Sequence, residues 1–355
     1  MRTLKSSLLL CTIVGMVISS CGSNTLVISS TNTPIASPTT LPIATSIPAL
    51  PTKETEVHTD LVSINSLKVG EYLVIRGIDS HNGEDGLSVI TSEGLYVGKL
   101  AEGRNFAYAT VSPNHEWLAY IGSDYGVGTL RVERIDGRQS LTLADGCTDP
   151  SWSPDSQYLT AACGNILAFA FQEGEWKQIG MIPLPSEFVD LPDDAKENVQ
   201  LASPTWSGDG KSIAYTAIFL AMPPASSVLG PYISPVSCLF DETTCNTYKL
   251  DIGKIHPWPV LQWLPLSNRI AIYSFPDNSG LYSFDAATKK LAETILLSDK
   301  DLIDSWVFSP SEKFLAVKPS TDSAFILNIG TKEIFELSRF QSEGTHIWSW
   351  IEISQ

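Results

Sequence analysis

Hydrophobic and polar residues follow one pattern that recurs five times along the chain. Each copy begins with a large apolar residue, continues through a short polar turn, and has Leu or Ile at its eighth position. The copies are VSPNHEWLAYIG from Val111, WSPDSQYLTAAC from Trp152, WSGDGKSIAYTA from Trp206, WLPLSNRIAIYS from Trp263 and FSPSEKFLAVKP from Phe308, with starts 41, 54, 57 and 45 residues apart. Short apolar runs bounded by Ser, Asp, Asn, Gly and Pro predict β-strands rather than helices.

Each copy extends into four strands. In the copy at Phe308, the segments SWVFSP, FLAVKP, AFILNI and EIFELS are four apolar runs separated by turn residues. Consecutive short strands of this kind pair as antiparallel neighbours. Repetition of a four-stranded unit at a period of about 40–50 residues is typical of the blades of a β-propeller.

The two ends of this region each hold part of a further unit. At the C-terminus, HIWSWIEIS aligns with an inner strand, since Trp350 lies 42 residues after Phe308, but no second strand follows it. Near residue 70, GEYLVIRG, GLSVITS and LYVGKL predict three strands that lack an inner partner. We therefore expect the C-terminal strand to close the first blade and remove an open edge. The predicted fold is all-β, a six-bladed β-propeller of four-stranded antiparallel blades over residues 61–355.

The segment WSPD, followed by a small or polar residue and an apolar strand, resembles the repeat of the TolB-like six-bladed β-propellers, which is related to the WD repeat. The resemblance covers most of residues 61–355. Individual copies depart from it, because Gly208 replaces the proline and Leu264, Pro265 and Leu266 replace Ser-Pro-Asp. The resemblance implies a binding scaffold more often than an enzyme. TolB itself binds protein partners in the envelope, although enzyme-associated propellers belong to the same family.

A targeting segment occupies residues 1–20. Arg2 and Lys5 give it a basic start, and the apolar run SLLLCTIVGMVI is too short for a stable membrane span. The segment leads into ISSC, which resembles the lipobox of bacterial lipoproteins and implies acylation of Cys21, for example with palmitate. The alternative is an ordinary secretory signal peptide cleaved nearby. We therefore expect a lipid-anchored, extracytoplasmic protein of the bacterial cell envelope.

Residues 21–60 are rich in Ser, Thr and Pro. Repeated proline prevents helix and sheet formation, and the segment has too few large apolar residues to build a core. It predicts a disordered, partly extended tether between the lipid anchor and the folded domain.

The balance of charges argues against nucleic acid as a partner. The chain has 39 acidic and 23 basic residues and a net charge of −16, so it has no surplus of Lys or Arg to bind phosphates. The segment GDGKS imitates a phosphate-binding loop. However, Thr205 stands where such a loop requires a glycine, and an apolar strand follows Ser212 where a helix is needed. The sequence predicts no cofactor.

Cysteine usage agrees with an oxidising compartment. Beyond Cys21, the chain has Cys147, Cys163, Cys238 and Cys245, which fall into two local pairs. A Cys147–Cys163 disulfide would close an antiparallel hairpin, and a Cys238–Cys245 disulfide would hold the return of a long loop. A redox or metal-binding role for the first pair is the alternative.

Topology predicts which face carries function. In antiparallel blades, the loops after second and outer strands share one face. Two long insertions are expected there, 183–202 after an outer strand and 220–245 after a second strand. The insertion 220–245 is either a lid or docking hairpin, or a structural decoration of the blade edge. The candidate binding-face residues are His81, Asp124, Tyr125, Asp149, Tyr232, Phe240, His256, Asp304 and His346.

Two classes of function remain. The favoured hypothesis is a non-catalytic scaffold that binds an envelope or extracellular protein, peptide or glycan, because the sequence has no GxSxG, HExxH or zinc-type CxxC motif. The alternative is a hydrolase or lyase that acts on peptide or glycan at the mouth of the central channel. The three histidines of the binding face do not have the spacing of a metal motif, so no metal is predicted.

Overall fold

The repeated apolar runs form β-strands in the computed structural model, which describes residues 61–78, 85–102, 106–122, 128–220, 227–241, 243, 245–252, 257–274, 280–295, 302–340 and 345–354. The first strands are β1 (Gly70–Ile78), β2 (Asp85–Thr91), β3 (Tyr96–Glu102), β4 (Ala107–Val111), β5 (Trp117–Gly122), β6 (Gly128–Arg134), β7 (Ser140–Trp152), β8 (Tyr158–Cys163), β9 (Asn165–Gln172), β10 (Glu175–Ile182), β11 (Val199–Trp206) and β12 (Ser212–Phe219). The others are β13 (Ser227–Pro235), β14 (Tyr248–Lys249), β15 (Pro257–Leu264), β16 (Arg269–Ser274), β17 (Gly280–Asp285), β18 (Leu291–Ile295), β19 (Ile303–Phe308), β20 (Phe314–Pro319), β21 (Phe325–Asn328), β22 (Ile334–Glu336) and β23 (His346–Ile353).

Helical structure in the described residues is confined to short segments. These are the α-helix α1 (Asp193–Lys196) and the 3-10 helices η1 (Ile64–Ser66), η2 (Ser186–Phe188) and η3 (Val236–Leu239). In this part of the chain, no helix is long and apolar enough to cross a membrane. The predicted signal peptide, the tether and Cys21 lie outside the described residues.

Strands pair with their sequence neighbours in antiparallel sheets. Among the described strands, β11–β14, β15–β18 and β19–β22 each form a four-stranded sheet. A further sheet has the order β23-β1-β2-β3, in which the C-terminal strand pairs antiparallel with β1 and Tyr72 lies opposite Ile351. The remaining sheet has seven strands, β4 to β10. The prediction of an all-β propeller with four-stranded antiparallel blades is confirmed.

One long strand holds the seven-stranded sheet together. β7 pairs with β6 through residues 140–147 and with β8 through residues 148–152. The change of partner falls between Cys147 and Thr148, and Cys147 is bonded to Cys163 at the end of β8. β7 is therefore the outer strand of one four-stranded unit and the first strand of the next.

A serine at the second position of the repeat fixes the turn after the first strand. In WSPD, the Ser153 hydroxyl donates to Asp155 Oδ1 at 2.7 Å and accepts the backbone N–H of Tyr158 at 2.9 Å. Ser112 and Ser207 make the same two kinds of bond in their own turns. The polar part of the repeat is thus a hydrogen-bonded turn between two strands.

The glycines of GDGKS have structural roles in this turn. Gly210 has φ 68°, the left-handed conformation that closes it. A Cβ on Gly208 would lie 2.7 Å from the carbonyl oxygen of Pro265 in the next unit, so close packing requires glycine where other copies have proline. Because this segment joins β11 to β12, it is not a phosphate-binding loop.

Large aromatic residues at the ends of the inner strands fill the space between neighbouring units. Trp152, Trp206 and Trp350 are each less than one-tenth exposed. The indole N–H of Trp152 donates to the carbonyl of Thr110 at 3.2 Å, and that of Trp350 to the carbonyl of Val307 at 3.2 Å. These bonds satisfy the polar atom of each buried ring and join each unit to the preceding one.

The first strand of each unit lies innermost. The inner strands contact one another in the order β4, β7, β11, β15, β19 and β23, and β23 also contacts β4. They enclose a channel. The end of the channel next to turns such as 153–157 is called the turn face below. The opposite end, where the inner strands begin, is called the channel mouth and is formed by Tyr108, Asp149, Ser203, Asp304, His346 and Trp348.

The sequence predicted that the segment 220–245 is one loop after a second strand, and this prediction is wrong. The segment contains β13, the third strand of its sheet, followed by η3. The N–H of Val236 donates to the carbonyl of Lys211 at 2.9 Å, which places the connection from β13 to β14 on the turn face. The prediction was wrong because β13 contains Pro231, Pro235 and Gly230, residue types that usually weaken a strand pattern.

Candidate functional site

The central channel contains a cavity of about 910 Å³. Residues of β4, β7, β11, β15, β19 and β23 form its wall, and Arg76 of β1 joins them at the channel mouth. A volume of this size suits a small molecule or a few residues of a peptide. The channel is therefore the candidate site.

The inner strands are irregular at the channel mouth. The register of β4, β7 and β11 with their second strands is interrupted by a β-bulge, and the interruptions fall at Tyr108, Asp149 and Ser203. Similar interruptions occur in β19 at Asp304 and in β23 at Trp348. All five residues line the cavity. A bulge removes a residue from the ladder and re-aims its side chain, in this case toward the channel.

Three of these bulges carry an unusual backbone conformation. Tyr108, Asp149 and Ser203 have φ values of 50°, 49° and 50°. The left-handed region costs a residue with a Cβ roughly 1–2 kcal/mol, and Asp tolerates it better than Tyr or Ser. Such strain persists only where the surrounding structure imposes it, and it is concentrated at ligand clamps and active sites.

Asp149 joins two neighbouring inner strands. Its Oδ2 accepts the N–H of Ser203 at 3.3 Å, the Ser203 hydroxyl at 3.4 Å and the Thr148 hydroxyl at 3.0 Å. Burial raises the pKa of the Asp149 carboxyl, and the hydrogen bonds from Thr148 and Ser203 offset part of this rise. Within the described residues, these neutral donors are its hydrogen-bond partners and no cationic side chain pairs with it.

Three rings form a row at the channel mouth, in the order Tyr108, Trp348 and His346. His346 stacks on Trp348 with ring centroids 5.2 Å apart and planes at 14°, and Trp348 packs against Tyr108 at 5.1 Å. Burial and the negative charge of Asp149 raise the pKa of the Tyr108 hydroxyl. This hydroxyl therefore remains protonated at neutral pH and can donate a hydrogen bond.

Burial also governs the charge of His346. It lowers the pKa of the imidazole, and the positive charges of Arg76 and Lys318 act in the same direction, whereas Asp304 and Asp85 oppose them. The ring is therefore mostly neutral at neutral pH and acts as a stacking surface for its aromatic neighbour.

The basic side chains at the channel mouth each have an acidic partner. Arg76 Nη2 lies 3.4 Å from Asp85 Oδ2, and Lys318 Nζ lies 3.8 Å from Asp304 Oδ2. The Lys318 side chain is only 1% exposed, and its ammonium group also donates to the carbonyl of Pro319. Asp304 also accepts the hydroxyl of Ser320. Arg76 and Lys318 are thus each paired with an aspartate, whereas Asp149 on β7 has no cationic partner among the described residues.

Four buried polar groups of residues that line the cavity lack a hydrogen-bond partner among the described residues. They are the indole N–H groups of Trp306 and Trp348, the hydroxyl of Ser349 and Nε of Arg76. Trp306 and Ser349 are less than one-tenth exposed. A buried donor without an acceptor costs roughly 1–3 kcal/mol, so these atoms are a local cost to the stability of the channel wall.

The structure brings three of the predicted binding-face residues together in the channel. These are Asp149, Asp304 and His346. Four other predicted residues, His81, Asp124, Tyr125 and His256, lie outside the described residues. Where the chain is described, no three His, Cys, Asp or Glu side chains come together in an arrangement that could hold a metal ion.

The last two predicted residues do not belong to this site. Tyr232 is 1% exposed in β13, and its hydroxyl donates to Glu187 of η2, which holds the insertion 183–202 against its blade. Phe240 follows η3 on the turn face, where it packs edge-on against Tyr158 with centroids 6.0 Å apart. Their predicted place on the binding face is wrong because the segment that carries them contains β13.

The sequence pattern did not indicate four residues of this site, Tyr108, Ser203, Trp348 and Arg76. A positional signal was present for two of them. Tyr108 and Ser203, like Asp149, stand three residues before the large apolar residue that opens a copy of the repeat. Because this position holds unrelated residue types, it does not appear in a pattern of apolar and polar residues.

Both predicted disulfides are confirmed. Cys147 is bonded to Cys163, and Cys238 to Cys245. The first ties β7 to β8 two residues before Asp149. It therefore fixes the backbone next to the central bulge of the channel mouth. The second closes the η3 connection on the turn face.

The chain is similar to two solved TolB structures at low sequence identity. No protein-family model matches the sequence, and no curated protein sequence matches it. Among solved structures, it is similar to "putative TolB" from Agrobacterium tumefaciens, with 12% identity, a TM-score of 0.48, and coverage of 81% of this chain and 100% of that chain. It is also similar to TolB from Acinetobacter baumannii, with 14% identity, a TM-score of 0.42, and coverage of 80% of this chain and 75% of that chain. The antiparallel four-stranded sheets described above agree with the propeller blades that the resemblance implied.

Proposed function

We propose that the folded part of the chain is a six-bladed β-propeller whose first blade is closed by the C-terminal strand. The pairing of β23 with β1 supports the closure. The cyclic order of contacts among the inner strands supports the number of blades, with the seven-stranded sheet counted as two blades that share β7.

The proposed function is that of a non-catalytic scaffold that binds a ligand at the channel mouth. One observation carries this proposal. Tyr108, Asp149 and Ser203 occupy the same repeat position on three consecutive inner strands, all have φ near 50°, and all line one cavity. Glycine would adopt this backbone without strain. A binding role accounts for the presence of larger, chemically distinct side chains at these positions.

The proposed ligand is an envelope or extracellular protein, peptide or glycan. Peptides and glycans both present many oxygen acceptors, which suit the protonated Tyr108 hydroxyl in the cavity. The row formed by Tyr108, Trp348 and His346 offers ring faces against which a side chain or a sugar can pack. The net charge of −16 disfavours nucleic acid.

We also propose that the chain is anchored to the bacterial cell envelope through a lipid on Cys21, with residues 21–60 as a tether. The ISSC segment supports this position of the anchor. Because the chain is acidic, acyl chains rather than electrostatic attraction would hold it to an anionic membrane.

A hydrolase or lyase at the channel mouth is the alternative, and we favour it less. Among the described residues, His346 stacks on Trp348 and has no hydrogen-bonded serine or cysteine. A nucleophile activated by histidine requires such a bond. Turnover of peptide or glycan libraries by the pure chain, lost on His346→Ala, would reverse this preference.

Affinity capture from isolated envelopes tests the scaffold function. The acylated full chain serves as bait, alongside the variants Tyr108→Asn and Asp149→Asn, since Asn tolerates the left-handed backbone of both positions. Glu175→Gln is the matched control because Glu175 is exposed on the outer strand β10. We expect one partner that is recovered with the wild type and with Glu175→Gln but is lost with both Tyr108→Asn and Asp149→Asn. Equal recovery by all four would place binding elsewhere.

A further inference from the structure

The charges at the channel mouth are unevenly compensated. Arg76 and Lys318 are each paired with an aspartate, at 3.4 and 3.8 Å. Asp149, by contrast, is held by the neutral donors of Thr148 and Ser203, and within the described residues no cation pairs with it. A partly buried carboxylate without a counter-ion is costly, and a cation supplied from outside would remove that cost.

Two aromatic residues line the same cavity as this carboxylate. Tyr108 is close enough for the charge of Asp149 to act on its hydroxyl, and Trp348 packs on Tyr108 at 5.1 Å. The faces of Trp and Tyr attract an ammonium or guanidinium group within about 6 Å of the ring centre. A carboxylate that shares one cavity with two such rings is a combination that favours an organic cation over a neutral group.

Other rings of this chain already receive cations from within the fold. Lys289 Nζ lies 3.9 Å from the ring centroid of Tyr248, and the guanidinium carbon of Arg339 lies 3.6 Å from that of Tyr96. Among the described residues, no comparable cation lies over the rings at the channel mouth. The net charge of −16 further favours approach of a basic partner.

We propose that the channel mouth takes a cationic side chain of its ligand, a lysine ammonium or an arginine guanidinium, with Asp149 as the counter-ion and the rings of Tyr108 and Trp348 as the π surface. This inference rests on the proposed function and names the chemical class that the same site selects. It predicts that an anionic group is rejected, and that a neutral side chain of equal length binds weakly because it leaves the carboxylate uncompensated.

The test uses short peptides as probes. The full chain in detergent micelles, labelled with ¹⁵N, is titrated with Ac-Gly-Gly-X-Gly-Gly-NH₂, where X is lysine, norleucine or glutamate. The indole N–H resonance of Trp348, identified by its loss in Trp348→Phe, reports on the channel mouth. The lysine peptide should shift this resonance saturably, with an affinity at least about tenfold higher than the norleucine peptide. The glutamate peptide should leave it unchanged.

Variants separate the counter-ion from the rings. Asp149→Asn should abolish the preference for lysine over norleucine, whereas Glu175→Gln, which removes a carboxylate from the outer strand β10, should retain it. Tyr108→Asn should weaken binding of the lysine peptide. If Asp149→Asn does not fold, as judged by circular dichroism, the affinities of the wild-type chain for the lysine and norleucine peptides still test the cation preference.

The outcomes distinguish this inference from the proposed function. Equal affinity for lysine and norleucine peptides, or a preference for glutamate, would overturn the cation preference and leave the channel mouth as a binding site. The absence of any shift at Trp348 with all three peptides, up to their solubility limits, would count against both.

Discussion

The backbone N–H of Ser203 donates to Oδ2 of Asp149 at 3.3 Å, although the two residues lie 54 positions apart on neighbouring inner strands. Both residues fall where a bulge interrupts the pairing of their strands. The bulge removes the Ser203 N–H from the hydrogen bonding between β11 and β12, and Asp149 supplies its partner instead. The bond therefore ties the two bulges together at the channel mouth.

Replacing Asp149 with Asn should raise stability at neutral pH. Asn tolerates the left-handed conformation and keeps an oxygen that can accept the Ser203 N–H. Burial raises the pKa of the Asp149 carboxyl, so the folded chain binds this proton more tightly than the unfolded chain does. The ionised form therefore costs stability above the folded pKa, and the cost disappears as the pH falls toward the ordinary value of 3.8.

Thermal unfolding of the wild type and Asp149→Asn over this pH range measures the effect. The advantage of the variant should be largest at neutral pH and should shrink on acidification. A difference that is independent of pH would show that the carboxylate is not the cause. A gain in stability together with a loss of ligand binding is the trade-off expected of a functional site.

The conformation of Ser203 can be tested with two substitutions. Ser203→Val should lower the free energy of unfolding by about 1–3 kcal/mol because a β-branched residue is strained at φ 50°. Ser203→Gly should change it by less than about 1 kcal/mol, since glycine removes the strain while the hydroxyl contact is lost. Urea denaturation measures both. Ser212→Val, at the start of β12, controls for the valine side chain, and an equal loss there would remove strain as the explanation.

Local pattern was enough to predict most of the strands but not the channel mouth. Alternation of apolar and polar residues depends on which side of a strand is buried, so copies such as the one at Trp152 predict strand, turn and strand directly. The bulges at Tyr108 and Ser203 depend on how inner strands meet around the channel, which no local residue preference records. β13 was missed for a different reason, because Pro231 and Pro235 lie inside a strand despite their usual exclusion.

The two disulfides should contribute unequally to stability. They close loops with sequence separations of 16 for Cys147–Cys163 and 7 for Cys238–Cys245. The chain-entropy estimate gives losses of about 3 and about 2 kcal/mol when both cysteines of a pair are replaced by serine. Urea denaturation of the two double variants measures this order. The reverse order would show that effects in the folded state, rather than loop closure, dominate.

Trp350→Ala should lower the free energy of unfolding by about 3–5 kcal/mol and should affect β1 in particular. Trp350 is 8% exposed, stacks on Phe314 with centroids 6.2 Å apart, and lies opposite Leu73 in the pairing of β23 with β1. If β23 closes the first blade, its loosening should speed amide hydrogen exchange in β1 more than in β12. Trp176→Ala on the outer strand β10 is the matched control, since it removes a large aromatic residue far from β1 along the chain. Equal acceleration of β1 exchange in both variants would contradict closure by the C-terminal strand.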